Sequence, residues 1–136
     1  MQIVVFSYAA EEYALPITDV QEIIRYVRPR PVSDSGYGIE GVISLRGKII
    51  PVCDLGARMG LAAESEGHSI VIVETGAGAA GVMVDQVDQV RTVTEDQIEP
   101  NPVSDDGLIQ SIVKIGEDRL IVLLDAQLLL SGVVSA

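Results

Sequence analysis

Two stretches of the chain repeat one another at a separation of 71 residues: Lys48-Ile49-Ile50-Pro51-Val52-Cys53-Asp54 and Arg119-Leu120-Ile121-Val122-Leu123-Leu124-Asp125. In each, a basic residue opens an apolar strand and an aspartate closes it, directly before a short apolar segment. An aspartate so placed accepts from the first free amides of a helix, so each copy reads as a strand running into a capped helical turn. A plan repeated at about half the chain length implies two similar β lobes.

The first copy lies within a longer unit, Gly41 to Leu55. Val42-Ile43-Ser44-Leu45 and Ile49 to Cys53 are strands joined by the tight turn Arg46-Gly47-Lys48, where glycine supplies dihedrals that other residues avoid. Asp54 then caps a short helix, Leu55 to Met59. Upstream, Gln2 to Tyr8 and Glu12 to Ile17 form a hairpin through Ala9-Ala10-Glu11. Pro16 to Asp19 offers a turn with a cap, and Val20 to Ile24 is expected as a single helical turn. Pro29 and Pro31 confine Arg25 to Val32 to an edge strand or an extended connection, and Asp34 to Gly38 is a loop.

Downstream, Gly60 to Gly67 reads as a flexible connection. Ser69 to Glu74 and Ala80 to Val84 are strands. Asp85 to Val93 alternates with Val87 and Val90 out of phase, which predicts a bulge. Glu95 to Gly107 is expected as a long loop. Leu108 to Ile115 and Arg119 to Leu124 form a last hairpin before a short helix, Ala126 to Leu130. Roughly ten short strands with turn signals every ~8–12 residues indicate an all-β barrel or sandwich.

The apolar share, 48%, and the charged share, 21%, suit a soluble globular chain, and no apolar run reaches the ~18 residues of a spanning helix. The N-terminus alternates like a strand and lacks a basic leader, so it is not read as a signal peptide. A single cysteine, Cys53, forms no internal disulfide and agrees with a reducing cytoplasm. The net charge of −11 argues against a nucleic-acid partner. The charge is uneven: residues 1–60 hold six Lys/Arg and seven Asp/Glu, while residues 61–136 hold three and thirteen.

No enzyme constellation emerges. Gly76-Ala77-Gly78-Ala79-Ala80-Gly81 is a literal GxGxxG after a strand, but strand-like alternation follows where a dinucleotide fold needs a helix, so a hairpin turn is expected. His68 has no partner set for zinc, Cys53 is expected to be buried, and Asp85, Asp88, Asp105 and Asp106 are expected as solvated charges. No cofactor or metal is expected. Glu22 and Arg46 are each flanked by apolar residues, and pairing them would let the arginine fork pin two elements together.

Phe6, Tyr13-Ala14-Leu15-Pro16-Ile17, Val20-Gln21-Glu22-Ile23-Ile24, Gly41 to Gly47 with Ile50 to Leu55, Gly81 to Val87, and Leu123-Leu124-Asp125 occur in the order found in CheW, the coupling protein family of bacterial chemotaxis, which the chain resembles over nearly its whole length. The resemblance implies a single CheW-like domain over 1–136, made of two intertwined SH3-like five-stranded β-barrel lobes with short helical segments. It implies a non-enzymatic cytoplasmic adaptor that joins a methyl-accepting chemoreceptor tip to the regulatory domain of the histidine kinase CheA, and that meets the membrane only through receptors. Carried over by position, Val20, Gly41, Val87 and Val90 would form the receptor groove, with Glu22 and Arg46 bracing its wall. Ile98, Glu99, Pro100, Asn101, Pro102, Val103 and Ser104 are the candidates for the kinase contact. Ser44, where the family usually has asparagine, and Ser111, where glycine is common, depart from the pattern. The rival readings are a small-molecule or nucleotide-binding β domain and a structural oligomerisation module.

Overall fold

The computed structural model describes residues 1–33, 38–61, 67–100 and 107–133. The described residues form two sheets. The first runs β8 (Gln86–Thr92), β1 (Gln2–Tyr8), β2 (Glu11–Pro16), β11 (Arg119–Leu124), β10 (Ile109–Ile115), β9 (Ile98–Pro100). The second runs β3 (Val20–Arg25), β6 (Ser69–Thr75), β7 (Gly78–Val84), β5 (Lys48–Asp54), β4 (Ile39–Leu45). The middle of the chain builds the second lobe and both ends build the first, so the lobes are intertwined. Among the described residues no helix is long and apolar enough to cross a membrane.

The repeat holds in detail. β5 leads into α1 (Leu55–Arg58) and β11 into α2 (Ala126–Leu129). Asp54 accepts from the Ala57 amide at 3.0 Å, and Asp125 accepts from the Leu128 amide at 3.0 Å. Each lobe places a register shift at the same point of its hairpin, at Ile39/Gly41 and at Ile109/Ser111. Each closes with one parallel pairing, β5 with β7 and β11 with β2.

The second sheet curls upon itself. Its edge strands are β3 and β4, yet the extended chain after β3 returns to β4, where Arg30 and Val42 exchange hydrogen bonds of 2.8 and 2.9 Å. Pro29 and Pro31 flank that single bridge, so pairing stops there. The expected loops at Asp34–Gly38 and Gly60–Gly67 fall largely outside the described residues.

Two expectations are corrected. Val20–Ile24 is not a helical turn; the 3₁₀ turn is Ile17–Asp19, and Val20 begins β3. Pairing with β6 and the β-branched side chains of Val20, Ile23 and Ile24 outweigh the helix signal. Glu95–Gly107 is not all loop. Gln97 Oε1 accepts from the Thr94 amide at 2.9 Å, which caps the start of a 3₁₀ turn at Glu95–Gln97, and Ile98–Pro100 then pairs with β10. As an edge strand it tolerates Pro100 at its end.

Each lobe has a small core of its own: Ile3, Val5, Ala14, Val93, Val113, Ile121 and Leu123 in the first, and Ile43, Ile50, Val52, Ile70, Ile72 and Met83 in the second. The largest cluster belongs to neither. Phe6, Tyr8, Tyr13 and Leu15 of the first sheet pack with Cys53, Val71, Val73, Val82 and Val84 of the second, and with Leu129 and Leu130 around α2. Strand alternation explains the division: on β1, Ile3 and Val5 face the lobe's own core, whereas Phe6 and Tyr8 face the other lobe.

The β1–β2 turn is strained, because Ala9 and Ala10 hold φ of 52° and 68°, a left-handed conformation costly for a residue with a Cβ. We predict that Ala10→Gly stabilises the protein by roughly 0.5–1 kcal/mol, after subtracting glycine's greater unfolded-state entropy. Urea denaturation checks this, and an unchanged or lowered midpoint would contradict it.

Candidate functional site at the junction of the lobes

The margin of the inter-lobe cluster is set by a bulge. β1 pairs Val5 with Gln89 but Phe6 with Val87, so Asp88 is the extra residue. Val87 and Val90 are three apart and would fall on opposite faces of a regular strand. The bulge puts Val87 beside Phe6 and Val90 beside Val4, on one face. Val87 is half-buried against the inter-lobe cluster, and Val90 is 52% exposed. Val20, half-buried where β3 begins, packs against the same cluster from the other lobe.

Gly41 lies where the chain folds back on itself. It is buried with φ +147°, and a Cβ there would stand 2.2 Å from the Arg30 carbonyl oxygen. The backbone that comes close at Gly41 is the chain's own, so this glycine permits the Arg30–Val42 bridge.

Glu22 and Arg46 do pair, with Arg46 Nη1 donating to Glu22 Oε2. Arg46 holds φ +50° at the first position of a two-residue turn, before Gly47 at +80°. The Arg46 side chain is 72% exposed, far more open than its apolar neighbours suggested, while that of Glu22 is 21% exposed. A second bulge decides which face the pair occupies. β3 pairs Val20 with Val73 and Glu22 with Ile72, so Glu22 faces the second lobe's own core while Val20 faces the junction. The pair joins the β4–β5 turn to the opposite edge strand, the one that carries Val20.

Of the candidates for the kinase contact, Ile98 is half-buried against the first lobe's core, and Glu99 and Pro100 are exposed on β9. Asn101, Pro102, Val103 and Ser104 lie outside the described residues.

The remaining chemical motifs resolve as structure. The glycine run is a hairpin: Gly76-Ala77 is the turn, Gly78 to Gly81 lie in β7, and no helix follows. Cys53 is fully buried, and burial pushes its thiol up to about 12. Asp85 is not a merely solvated charge, since its Oδ2 accepts from the Ala9 amide at 2.7 Å. Sequence reasoning also missed a bidentate pair in the first lobe. Arg119 donates through Nε to Glu12 Oε1 at 2.9 Å and through Nη2 to Oε2 at 2.7 Å, which holds the guanidinium above its usual range. The signal was available, because Arg119 opens the second copy of the repeat. Among the described residues no group of three His, Cys, Asp or Glu is placed to hold a metal ion.

Fold and site together define a class: an all-β protein of two lobes built on one repeated plan, with valines from both lobes at the margin where they join. A family model for the CheW-like domain matches residues 2–134. The chain therefore belongs to the CheW family. It is 31% identical to the chemotaxis protein CheW of Klebsiella aerogenes, covering 96% of this chain and 82% of that protein. It is 34% identical to chemotaxis protein CheW of Bacillus subtilis, covering 95% and 86%. The crystal structure of the scaffolding protein TtCheW from Thermoanaerobacter tengcongensis is similar with a TM-score of 0.86 at 39% identity, covering 96% of this chain and 92% of that one.

Two outcomes are expected. A double-mutant cycle of Glu22→Gln and Arg46→Ala should give a coupling of about 0.5 kcal/mol, small because the arginine is exposed; additive effects in urea titrations would refute the pairing. Cys53 should resist an aromatic disulfide reagent at pH 8 in the native state, where its thiol stays protonated, and react once unfolded. Rapid labelling of native protein would contradict its burial.

Proposed function

We propose that this chain is a non-enzymatic scaffold of bacterial chemotaxis-type signalling that couples chemoreceptor cytoplasmic tips to the regulatory domain of a CheA histidine kinase. It works in the cytoplasm and meets the membrane only through receptors. The observation that carries this reading is the β8 bulge, which sets Val87 and Val90 side by side at the margin of the cluster shared by both lobes. A receptor tip is a helical hairpin, and a helix lays apolar anchors into such a margin at spacings of three and four residues. Val20 adds an anchor from the second lobe, and Glu22 and Arg46 stiffen the strand beneath it. Membership of the CheW family supports the same reading, as do the names of the relatives, several of which are chemotaxis proteins.

The kinase domain is assigned a separate surface beginning at Glu99 and Pro100 on the edge strand β9. A scaffold needs more than one docking edge, and this chain exposes large apolar residues well apart in sequence: Ile49 at 69%, Leu120 at 56% and Val90 at 52%. Coupling follows when receptor and kinase are held in one geometry, so that a change at the first biases the second.

Val90→Glu should abolish capture by immobilised receptor tips without changing the melting temperature, because Val90 is half open to solvent. Val87→Glu should also abolish capture, with some loss of stability from its packed side. Undiminished capture of both variants would refute the groove assignment.

A further inference from the structure

The two short helices follow the two copies of the repeat, and they meet. Arg58, in the last turn of α1, donates through Nε to the Leu129 carbonyl at 2.9 Å and through Nη2 to the Ser131 carbonyl at 2.6 Å. Leu129 lies 71 residues further on, the same spacing that separates Asp54 from Asp125, so Arg58 grips the backbone of its own counterpart in the other copy. The arrangement is one-sided. α2 has no basic residue in its last turn, and Leu129 in place of an arginine is fully buried in the inter-lobe cluster.

α1 is thus held at both ends by the opposite lobe. At its start Tyr8 Oη of β1 donates to Asp54 Oδ2 at 2.8 Å, and Gly56 is required there because a Cβ would stand 2.2 Å from that hydroxyl oxygen. At its end the guanidinium holds two carbonyls of the α2 terminus, where carbonyls lack partners within the helix and favour a cation. α2 in turn packs on β6, whose Val73 pairs with Val20 at the start of β3, and Leu129 and Val20 both lie against the inter-lobe cluster. The Asp19 carboxyl is raised by burial and by the charge of Asp125, the residue that caps α2. Val20 follows Asp19 directly.

We propose that Arg58 is a positioning residue for the groove: by clamping the end of α2 it fixes the corner at Asp19 and Val20, and so the separation of Val20 from the valines of β8. The groove's ligand rests on the functional reading above, but the clamp does not. A lysine would supply one compact charge where arginine supplies a planar fork, and would hold one carbonyl rather than two.

The test compares the full chain with Arg58→Ala and Arg58→Lys. Three quantities are measured: amide hydrogen exchange at Asp19, Val20 and Leu129–Val133, affinity for a receptor-tip hairpin, and affinity for a CheA regulatory domain. Arg58→Ala is expected to speed exchange at both segments and to weaken receptor-tip binding about tenfold, the loss of one to two charge-assisted hydrogen bonds, while leaving kinase-domain binding unchanged. Arg58→Lys is expected to recover part of the receptor affinity. Equal loss of both affinities, with a matching drop in melting temperature, would reduce Arg58 to a stability role and overturn the proposal. Unchanged exchange at Val20 would overturn it as well. If the unmodified chain binds no receptor tip, the functional reading fails while the exchange data still decide on the clamp.

Discussion

The apolar cluster between the lobes is the constraint on which the rest of the structure depends. Neither sheet has a private core as large as the one they share, and β1 and β2 give one face to each. Separating the lobes would expose Phe6, Tyr8, Leu15, Val71, Val82 and Leu129 together, at roughly 1.5–3 kcal/mol for each side chain. The lobes therefore behave as one folding unit, although the chain was assembled on a repeated plan. One buried polar contact fixes how they meet. Tyr8 donates to the same Asp54 oxygen that caps α1, and both burial and that carboxylate push the phenol well above its ordinary range. Among the described residues Asp54 Oδ1 has no hydrogen-bond partner, while Oδ2 accepts from two donors.

Much of the fold was legible because it rests on local chemistry. The repeat, both aspartate caps, the hairpin turns and the burial of Cys53 each follow from short stretches of sequence, and each is present. What was not legible depends on partners far along the chain. Val20–Ile24 carries a plausible helix signal until β6 is available to pair with it. The phase of Val87 and Val90 announced a bulge, but which face they share depends on the register against Phe6 and Val4. The bulge at the start of β3, which turns Glu22 away from Val20, gave no sign in the sequence. Gly41 stood out as a glycine, yet the backbone it admits belongs to Arg30, and nothing local says that the chain returns there. Arg119 stood out by opening the second copy of the repeat, but its carboxylate partner lies 107 residues away and is fixed only by the parallel pairing of β11 with β2.

These features support one account of function. Two bulges set Val87 with Val90 on one face and turn Val20 toward the cluster the lobes share, and an ion pair ties the β4–β5 turn to the strand that carries Val20. A scaffold gains from such rigidity, because every degree of looseness between its docking surfaces weakens the coupling it transmits. The uneven charge fits the same division of labour. The nearly neutral first part of the chain supplies Arg46 and Arg58, whereas the acidic remainder carries most of the net charge of −11.

The most direct test of the central claim is reconstitution of the bridge. Receptor tips immobilised on beads are incubated with a CheA regulatory domain, with and without this chain. The account predicts that the kinase domain is retained on the beads only when the chain is present, in proportion to the chain bound. Competition between receptor tip and kinase domain for the chain, so that binding one releases the other, would contradict it.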